Sequence, residues 1–256
     1  MAALKERFAR TDPVVGNWLS IGHPSVAELT AKLGFDFAMI DLEHTTTSLE
    51  TVQGMVHAIE AVDGPTEPLV RIPDDDPVSV KRVLDTGVAG VMVPMIDSVA
   101  EAESLVDSAT YPPEGTRGIA GSRAAGYGIE FEEYVANAND ETTIVAQIET
   151  EAGLESVEEI AAVDGIDAIF AGPADLSGSL GVFGEWESDR LTDAMERIAA
   201  AAAAEGKLAG TLAVRHEDIE LRANQGFEFI IAGQDTGYVA SGSADAKAAF
   251  EQAMED

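Results

Sequence analysis

The sequence predicts an α/β fold, a single closed (β/α)8 barrel over residues 1–256. Three observations predict it. Apolar runs of strand length recur eight times, amphipathic or alanine-rich stretches separate them, and the whole cycle is completed within 256 residues. Strands alternating with helices form right-handed βαβ units and a parallel sheet. Eight such units in this length is the size of a barrel whose chemistry gathers at the C-terminal strand ends. The competing open, doubly wound sheet carries a glycine fingerprint in its first βα turn. Here that turn reads Ser20-Ile21-Gly22-His23-Pro24.

The expected strands, in order, are residues 14–21, 35–42, 69–72, 90–93, 143–148, 168–171, 208–213 and 227–232. The expected helices include residues 25–33, 48–62, 77–86, 98–109, 151–163 and 189–205. The alanine run 199–204 reads as helix because alanine has the highest helix propensity. One segment breaks the rhythm. Residues 111–128, YPPEGTRGIAGSRAAGYG, are too long for an ordinary connection, and loops of this kind are functional or disordered. The segment lacks the G-K-[ST] ending of a phosphate loop, so its glycines alone do not indicate phosphate.

Composition narrows the chemistry. The chain has no cysteine, which excludes disulfides, thiolate catalysis and cysteine-ligated metals. The opening MAALKERFARTD is charged and lacks a signal-peptide core. No run approaches the ~20 apolar residues of a membrane span. The expectation is a soluble, cytoplasmic protein. Its formal charge is −32, from 47 acidic and 15 basic residues dispersed along the chain. Such a surface repels nucleic acid and anionic membranes. It suits concentrated salt, where screening suppresses self-repulsion, and a halophilic protein is the expectation. A cationic partner is the other explanation of the same charge.

The strand ends hold the polar groups. The second expected strand ends Asp41-Leu42-Glu43-His44, the third ends Arg71-Ile72-Pro73, and the fourth offers nothing titratable. The fifth ends Gln147-Ile148-Glu149 and the sixth leads into Gly172-Pro173-Ala174-Asp175. The seventh offers Thr211, and the eighth Gln234 and Asp235. Gln147 and Glu149 lie two apart and share one face of their strand. Burying an amide and a carboxylate there is costly without partners.

Glu149 and Asp175 on neighbouring strand ends would repel, driving one pKa up. A divalent cation resolves this, since hard oxygen ligands hold Mg2+ or Mn2+ and leave positions open. Taken singly, each is an ordinary cap or ion-pair residue; Asp175 would cap a helix starting near Leu176. Arg71 needs an anionic partner if buried. It reads either as a structural pair with Asp41 or Glu43, or as a clamp on a substrate carboxylate or enolate oxygen. His44 reads as a titrating group at the mouth or as a structural histidine. Gly172-Pro173-Ala174-Asp175 reads as a turn or as a helix start that binds an anion.

Four segments, GFDFAMIDLEH, RVLDTGVAGVMVPMID with YPPEGTRG behind it, VAQIETEAG, and IDAIFAGPADLSGSLG, carry a resemblance. With GNWLS near the start it covers nearly the whole chain. The sequence resembles the HpcH/HpaI family of class II, metal-dependent pyruvate aldolases. The resemblance implies a barrel whose C-terminal helix is exchanged between subunits of a homohexamer, a dimer of trimers. It implies Glu149 and Asp175 as ligands of Mg2+ or Mn2+, with Co2+ an alternative, and no organic cofactor. Gln147 and the backbone of Gly172, Pro173, Ala174 and Asp175 would bind the 2-oxo acid. Arg71 would stabilise the enolate and His44 would be the base, acting through water. Asp85, in RVLDTG, matches an aspartate that raises the basicity of that histidine, across a subunit boundary. Leu212 matches a position near the aldehyde.

The implied reaction is reversible cleavage of a 4-hydroxy-2-oxo acid, either a 2-keto-3-deoxy sugar acid or a 4-hydroxy-2-oxo diacid, to pyruvate and an aldehyde. The cation would stabilise the enolate as a Lewis acid, and His44 would move the C4 hydroxyl proton. The five lysines all lie away from expected strand ends, which disfavours Schiff-base chemistry. Two other readings stand beside it. One is an acyl-CoA lyase of the citrate lyase β or malyl-CoA lyase type, with Arg117 and Arg123 gripping the phosphates. The other is a non-catalytic oxo-acid-binding barrel. SIGHPS, GSRAAGYG and LGVFGEWE depart from the family and are expected near the distal part of the substrate.

Overall fold

A computed structural model describes residues 3–255; residues 1, 2 and 256 of the expected domain lie outside the described residues. Eight parallel strands close into a barrel in chain order. They are β1 (Val14–Leu19), β2 (Phe37–Asp41), β3 (Glu67–Arg71), β4 (Gly90–Val93), β5 (Thr143–Ile148), β6 (Ala168–Ala171), β7 (Leu208–Leu212) and β8 (Phe229–Gln234). β4, β5 and β6 have the expected bounds, β1 and β7 are shorter at their C-terminal ends, and β2, β3 and β8 shift by one or two residues at both ends.

The helices are α1 (Leu4–Ala9), α2 (Pro24–Lys32), α3 (Leu49–Glu60), α4 (Pro77–Leu84), α5 (Val99–Ala109), α6 (Phe131–Glu141), α7 (Glu151–Glu155), α8 (Val157–Ala161), α9 (Pro173–Ser179), α10 (Asp189–Ala204), α11 (His216–Asn224) and α12 (Asp235–Glu255). Short polar side chains start many of them. Ser48, Asp76, Ser98, Thr150 and Ser188 each accept a hydrogen bond from a first-turn N–H that no helical carbonyl reaches. The helix expected over 151–163 is instead two, because Ser156 leaves helical geometry at φ −101, ψ 6. α1 and α6 were not expected. α6 buries only Ala138 fully, although Phe131, Tyr134, Val135 and Ala138 are spaced as a short helical stripe.

Side chains alternate across each strand, so two cores form. The outer core lies between strands and helices. The inner core fills the barrel with Trp18, Phe37, Met39, Phe170 and Phe229 among others. These rings need room, and Gly210 supplies it, since a Cβ there would fall 2.7 Å from the Phe170 ring. α1 closes the N-terminal end of the barrel by inserting Leu4 and Phe8. The Phe8 and Phe229 rings meet edge-on with centroids 4.9 Å apart.

On β5, Val145 belongs to the inner core. Gln147 and Glu149 follow on the same face, one and two pleats nearer the C-terminal end. They therefore emerge where the inner core gives way to the mouth. Asp41 and Arg71 face one another in the β2–β3 register.

The segment after α5 folds against the opposite end. Arg123 donates to His57 Nε2 at 2.7 Å and to the Thr86 carbonyl at 2.6 Å, and it pairs with Glu60. With Glu67, Ala89 and Thr142, all at strand starts, it lines a second cavity of about 910 Å³. The expectation that GSRAAGYG lies near the substrate is thus corrected within the chain. The glycines of this segment serve a return path along the barrel's lower rim. No helix among the described residues is long and apolar enough to cross a membrane.

Replacing Phe8 with Ala should unplug the lower end and destabilise the fold by ~3–5 kcal/mol. A denaturant midpoint unchanged from wild type would show that α1 does not seal the inner core.

Candidate active site

A cavity of about 570 Å³ opens at the C-terminal strand ends. Strand-end residues Asp41, Arg71, Gln147, Leu212 and Gln234 line it, together with His44 from the loop after β2 and Asp175 from the first turn of α9. None of its lining residues is a lysine. Lys207, the nearest to a strand, precedes β7 and donates to the Val163 carbonyl at 2.7 Å.

Glu149 sits just behind this lining and is only 2% exposed. Its Oε1 accepts from the Met95 backbone N–H at 3.1 Å. Gln147 donates to its other oxygen through Nε2. Burial, reinforced by the carboxylates of Glu43 and Asp175, pushes the Glu149 carboxyl up to about 7. Asp175 thus lies close enough for its charge to be felt, and it lines the cavity itself. Gln147 is 2% exposed and its Oε1 has no partner within the protein. An unmatched buried acceptor beside a buried carboxylate is costly unless a ligand meets it.

This donor set fits a divalent cation. It offers two carboxylates and an unpartnered amide oxygen, all hard oxygen donors, on adjacent strand ends. Gly172 keeps the cradle open, since a Cβ there would lie 2.6 Å from Glu149 Oε2 and 2.8 Å from Gln147 Nε2. Among the described residues no three acidic, imidazole or thiol groups converge. An ion held by two carboxylates would keep coordination positions for water and substrate.

Arg71 is 7% exposed. Its Nε and Nη2 donate to Asp41 at 3.0 and 2.9 Å, and Nη1 stands 2.9 Å from Glu43 Oε2. The guanidinium carbon lies 4.5 Å from the Trp18 ring centroid. The structural ion pair foreseen for Arg71 is present, with both carboxylates, and the same guanidinium faces the cavity. Bidentate pairing and ring stacking hold it in one orientation. Burial raises the Glu43 carboxyl above its ordinary range, opposed by Arg71 and His44. His44 is well exposed, its Nε2 3.6 Å from Glu43 Oε1.

α9 begins with Gly172 as its cap, not at Leu176, so Asp175 lies in the first turn rather than capping it. Pro173 occupies the first position, and the N–H groups of Ala174 and Asp175 have no intrahelical acceptor. Leu212 lines the cavity beside Val214 and Trp186, which places LGVFGEWE at the mouth as expected.

Other expectations are redirected. Thr211 is fully buried and donates to the Ala171 carbonyl at 3.1 Å, between strands. Asp235 accepts from the Ser20 and Ile21 N–H groups at 3.0 and 2.9 Å, pinning the first βα loop to the end of β8. His23 caps α2 through Nδ1 and does not line the cavity. Asp85 is the C-cap of α4 and pairs with Arg117 at 3.1 Å. The C-terminal ends of the helices return to the strand starts, so Asp85 and His44 sit at opposite ends of one barrel. Arg117 and Arg123 are likewise paired away from this chain's own mouth, so one chain alone does not supply the cationic grip that an acyl-CoA lyase reading required.

Two site residues had no sequence signal. Met95 reaches Glu149 only through its backbone, from the left-handed conformation at φ 55. Arg222, from α11, lines the cavity although helix position alone assigns it to the barrel flank.

The HpcH/HpaI aldolase/citrate lyase family profile matches residues 15–242. A 4-hydroxy-2-oxovalerate aldolase of Novosphingobium aromaticivorans is 40% identical over 237 residues, 92% of this chain and 90% of that protein. A hydroxypyruvate/pyruvate aldolase of Paraburkholderia phytofirmans is 41% identical over 237 residues, covering 91% of each. A crystal structure of a family protein from Burkholderia cenocepacia superposes with a TM-score of 0.93 at 34% identity, covering 97% of this chain and 98% of that one.

Replacing Gly172 with Ala should push Glu149 and Gln147 apart and weaken Mn2+ binding by about 10- to 100-fold. Titration of Mn2+ followed by electron paramagnetic resonance measures this. Unaltered affinity would show that the cradle is not the cation site.

Proposed function

Since the chain belongs to the HpcH/HpaI aldolase/citrate lyase family, we propose that it is a metal-dependent aldolase built as one barrel domain. It reversibly cleaves a 4-hydroxy-2-oxo acid to pyruvate and an aldehyde. The observation that carries this reading is the buried Glu149, raised to about 7 beside Asp175 and the unpartnered oxygen of Gln147. Such a group is stable in its charged form when a cation is bound.

A divalent ion held by Glu149 and Asp175, Mg2+ or Mn2+ with Co2+ an alternative, supplies Lewis acidity toward a 2-oxo acid. The chain does the rest. Gln147 orients Glu149 through Nε2. The free N–H groups of Ala174 and Asp175 receive the substrate carboxylate. Arg71, held by Asp41, Glu43 and Trp18, presents fixed positive charge where the keto oxygen becomes anionic. His44, at the solvent-facing edge, takes the C4 hydroxyl proton through a water and returns it in the reverse direction. Leu212 packs against the aldehyde half. With no lysine at the cavity, the enolate forms without a Schiff base.

Asp85 reaches His44 only from another subunit, because its own barrel separates them. A homohexamer with α12 exchanged between subunits suits an α12 whose only buried residue is Asp235, while Val239, Phe250 and Met254 are exposed. The −32 charge suits a halophilic, cytoplasmic setting with no nucleic-acid or membrane partner.

Chelation by EDTA should abolish retro-aldol cleavage and Mg2+ or Mn2+ should restore it; full activity after exhaustive chelation sinks the scheme. Arg71→Ala should lower kcat by about 100- to 1000-fold while circular dichroism stays native, whereas a collapsed spectrum would assign Arg71 to the fold instead. Mixed His44→Ala and Asp85→Ala chains should regain about a quarter of wild-type sites if the two residues meet across a boundary. No regain on mixing would place Asp85 outside the reaction. Melting temperature should rise with KCl over the molar range, and a flat dependence would contradict the halophilic assignment.

A further inference from the structure

The long segment 111–128 contributes nothing to the mouth of its own barrel. It nevertheless grips one residue twice. Arg117 Nη2 donates to Asp85 Oδ1 at 3.1 Å, and the Ala124 N–H donates to the Asp85 carbonyl at 3.2 Å. The turn that delivers Arg117 closes back on α5: the Thr116 N–H donates to the Asp107 carbonyl at 2.7 Å and the Arg117 N–H to the Thr110 carbonyl at 2.9 Å.

Arg117 itself is 2% exposed. Its guanidinium carbon lies 4.4 Å from the Tyr111 ring centroid and 5.9 Å from that of Tyr134. The Tyr134 hydroxyl accepts from the same Nη2 at 3.2 Å. α6 fixes both rings, since it carries Tyr134 and its Asn139 bonds both the N–H and the carbonyl of Tyr111. Nε and Nη1 have no acceptor, and Asp85 is the one carboxylate that Arg117 pairs with among the described residues. Such a cation is costly to bury, and an apolar side chain between two tyrosines would hold the loop more cheaply. What the arginine adds is direction. Asp85 gives one oxygen to a cation locked between rings, while its side chain stays 22% exposed and open to a neighbour.

We propose that Arg117 is a positioning residue for Asp85. Seated by Tyr111 and Tyr134, it aims that carboxylate outward, to where the His44 of a neighbouring copy receives it. This rests on the cross-subunit reading of Asp85 above and extends it: the segment 111–128 and α6 are a bracket for a carboxylate that serves another chain's mouth.

The test is cleavage of 4-hydroxy-2-oxovalerate by full-length chains with Mn2+. Arg117→Met should lower kcat by about 10-fold with KM unchanged, and the double variant with Asp85→Asn should lose no more than Asp85→Asn alone. Co-expressed with His44→Ala, the Arg117→Met chain should yield about a quarter of wild-type sites, because an intact bracket then meets an intact histidine. Co-expressed with Asp85→Ala it should yield no gain, since both changes fall on the same side of the boundary. Additive losses in the double variant, gain with Asp85→Ala, or no gain with His44→Ala overturns the inference. Arg117→Lys keeps the buried charge but not the stacked plane. It should show the same fall in kcat to a smaller degree, and wild-type kcat there overturns the inference even if Arg117→Met does not fold. Wild-type kcat in Asp85→Asn would defeat the cross-subunit reading itself, whereas a low kcat there with normal Arg117 variants defeats only the role of Arg117.

Discussion

A carboxylate that is 2% exposed, beside a second carboxylate and an amide oxygen without a partner, is the constraint on which the rest of the mouth depends. Folding brings Glu149 there because β5 is covered on both faces and its polar end must go somewhere. The protein meets this negative charge only in part. One backbone N–H from Met95 and one amide N–H from Gln147 reach the two oxygens. Those contacts fix the orientation of the carboxylate and leave its charge largely unbalanced, as its elevated pKa reports. Structural stability alone gives no reason to keep such an arrangement, since apolar side chains would fill the same space at lower cost. A bound cation does.

Around that centre the barrel divides its labour by depth. The inner aromatic core and α1 make the lower barrel rigid. One layer higher, Trp18 supports Arg71 from below while Asp41 and Glu43 lock it laterally. The guanidinium is thereby oriented before substrate arrives, and electrostatic preorganisation of this kind acts most strongly in a water-poor site. His44 lies outside this packed layer, exposed to solvent. In the proposed scheme, proton traffic at the rim and charge stabilisation below it are separate tasks at separate depths.

The fold was legible because it rests on a period. Every strand announced itself as a short apolar run, and β4, β5 and β6 had clean edges because Pro94, Glu149 and Gly172 follow them. α6 was passed over although Phe131, Tyr134, Val135 and Ala138 mark a short stripe, of which only Ala138 is fully buried. In the site, Gln147 and Glu149 stood out as polar residues interrupting an oily run, and strand-end logic found Asp41, Arg71 and Asp175. That logic failed where a side chain bends away from the mouth: Thr211 caps a neighbouring carbonyl and Asp235 binds loop amides. It was blind to Met95, whose contribution is a backbone N–H set by a left-handed φ. Arg222 was missed for a different reason. Strand-end logic ignores helices, yet a long side chain on α11 reaches the cavity. For Asp85 the sequence resemblance supplied a role that no single chain can satisfy, because α4 delivers it to the far end of the barrel.

The most direct test of the central claim is calorimetric titration of Mn2+, in the presence of pyruvate, into wild type, Glu149→Gln and Asp175→Asn. The account predicts one equivalent bound per wild-type chain and loss of that binding in each variant, with the folded barrel retained by circular dichroism. Undiminished binding of one equivalent in both variants would show that the buried carboxylate pair does not hold the ion, and would leave Glu149 without the partner its burial demands.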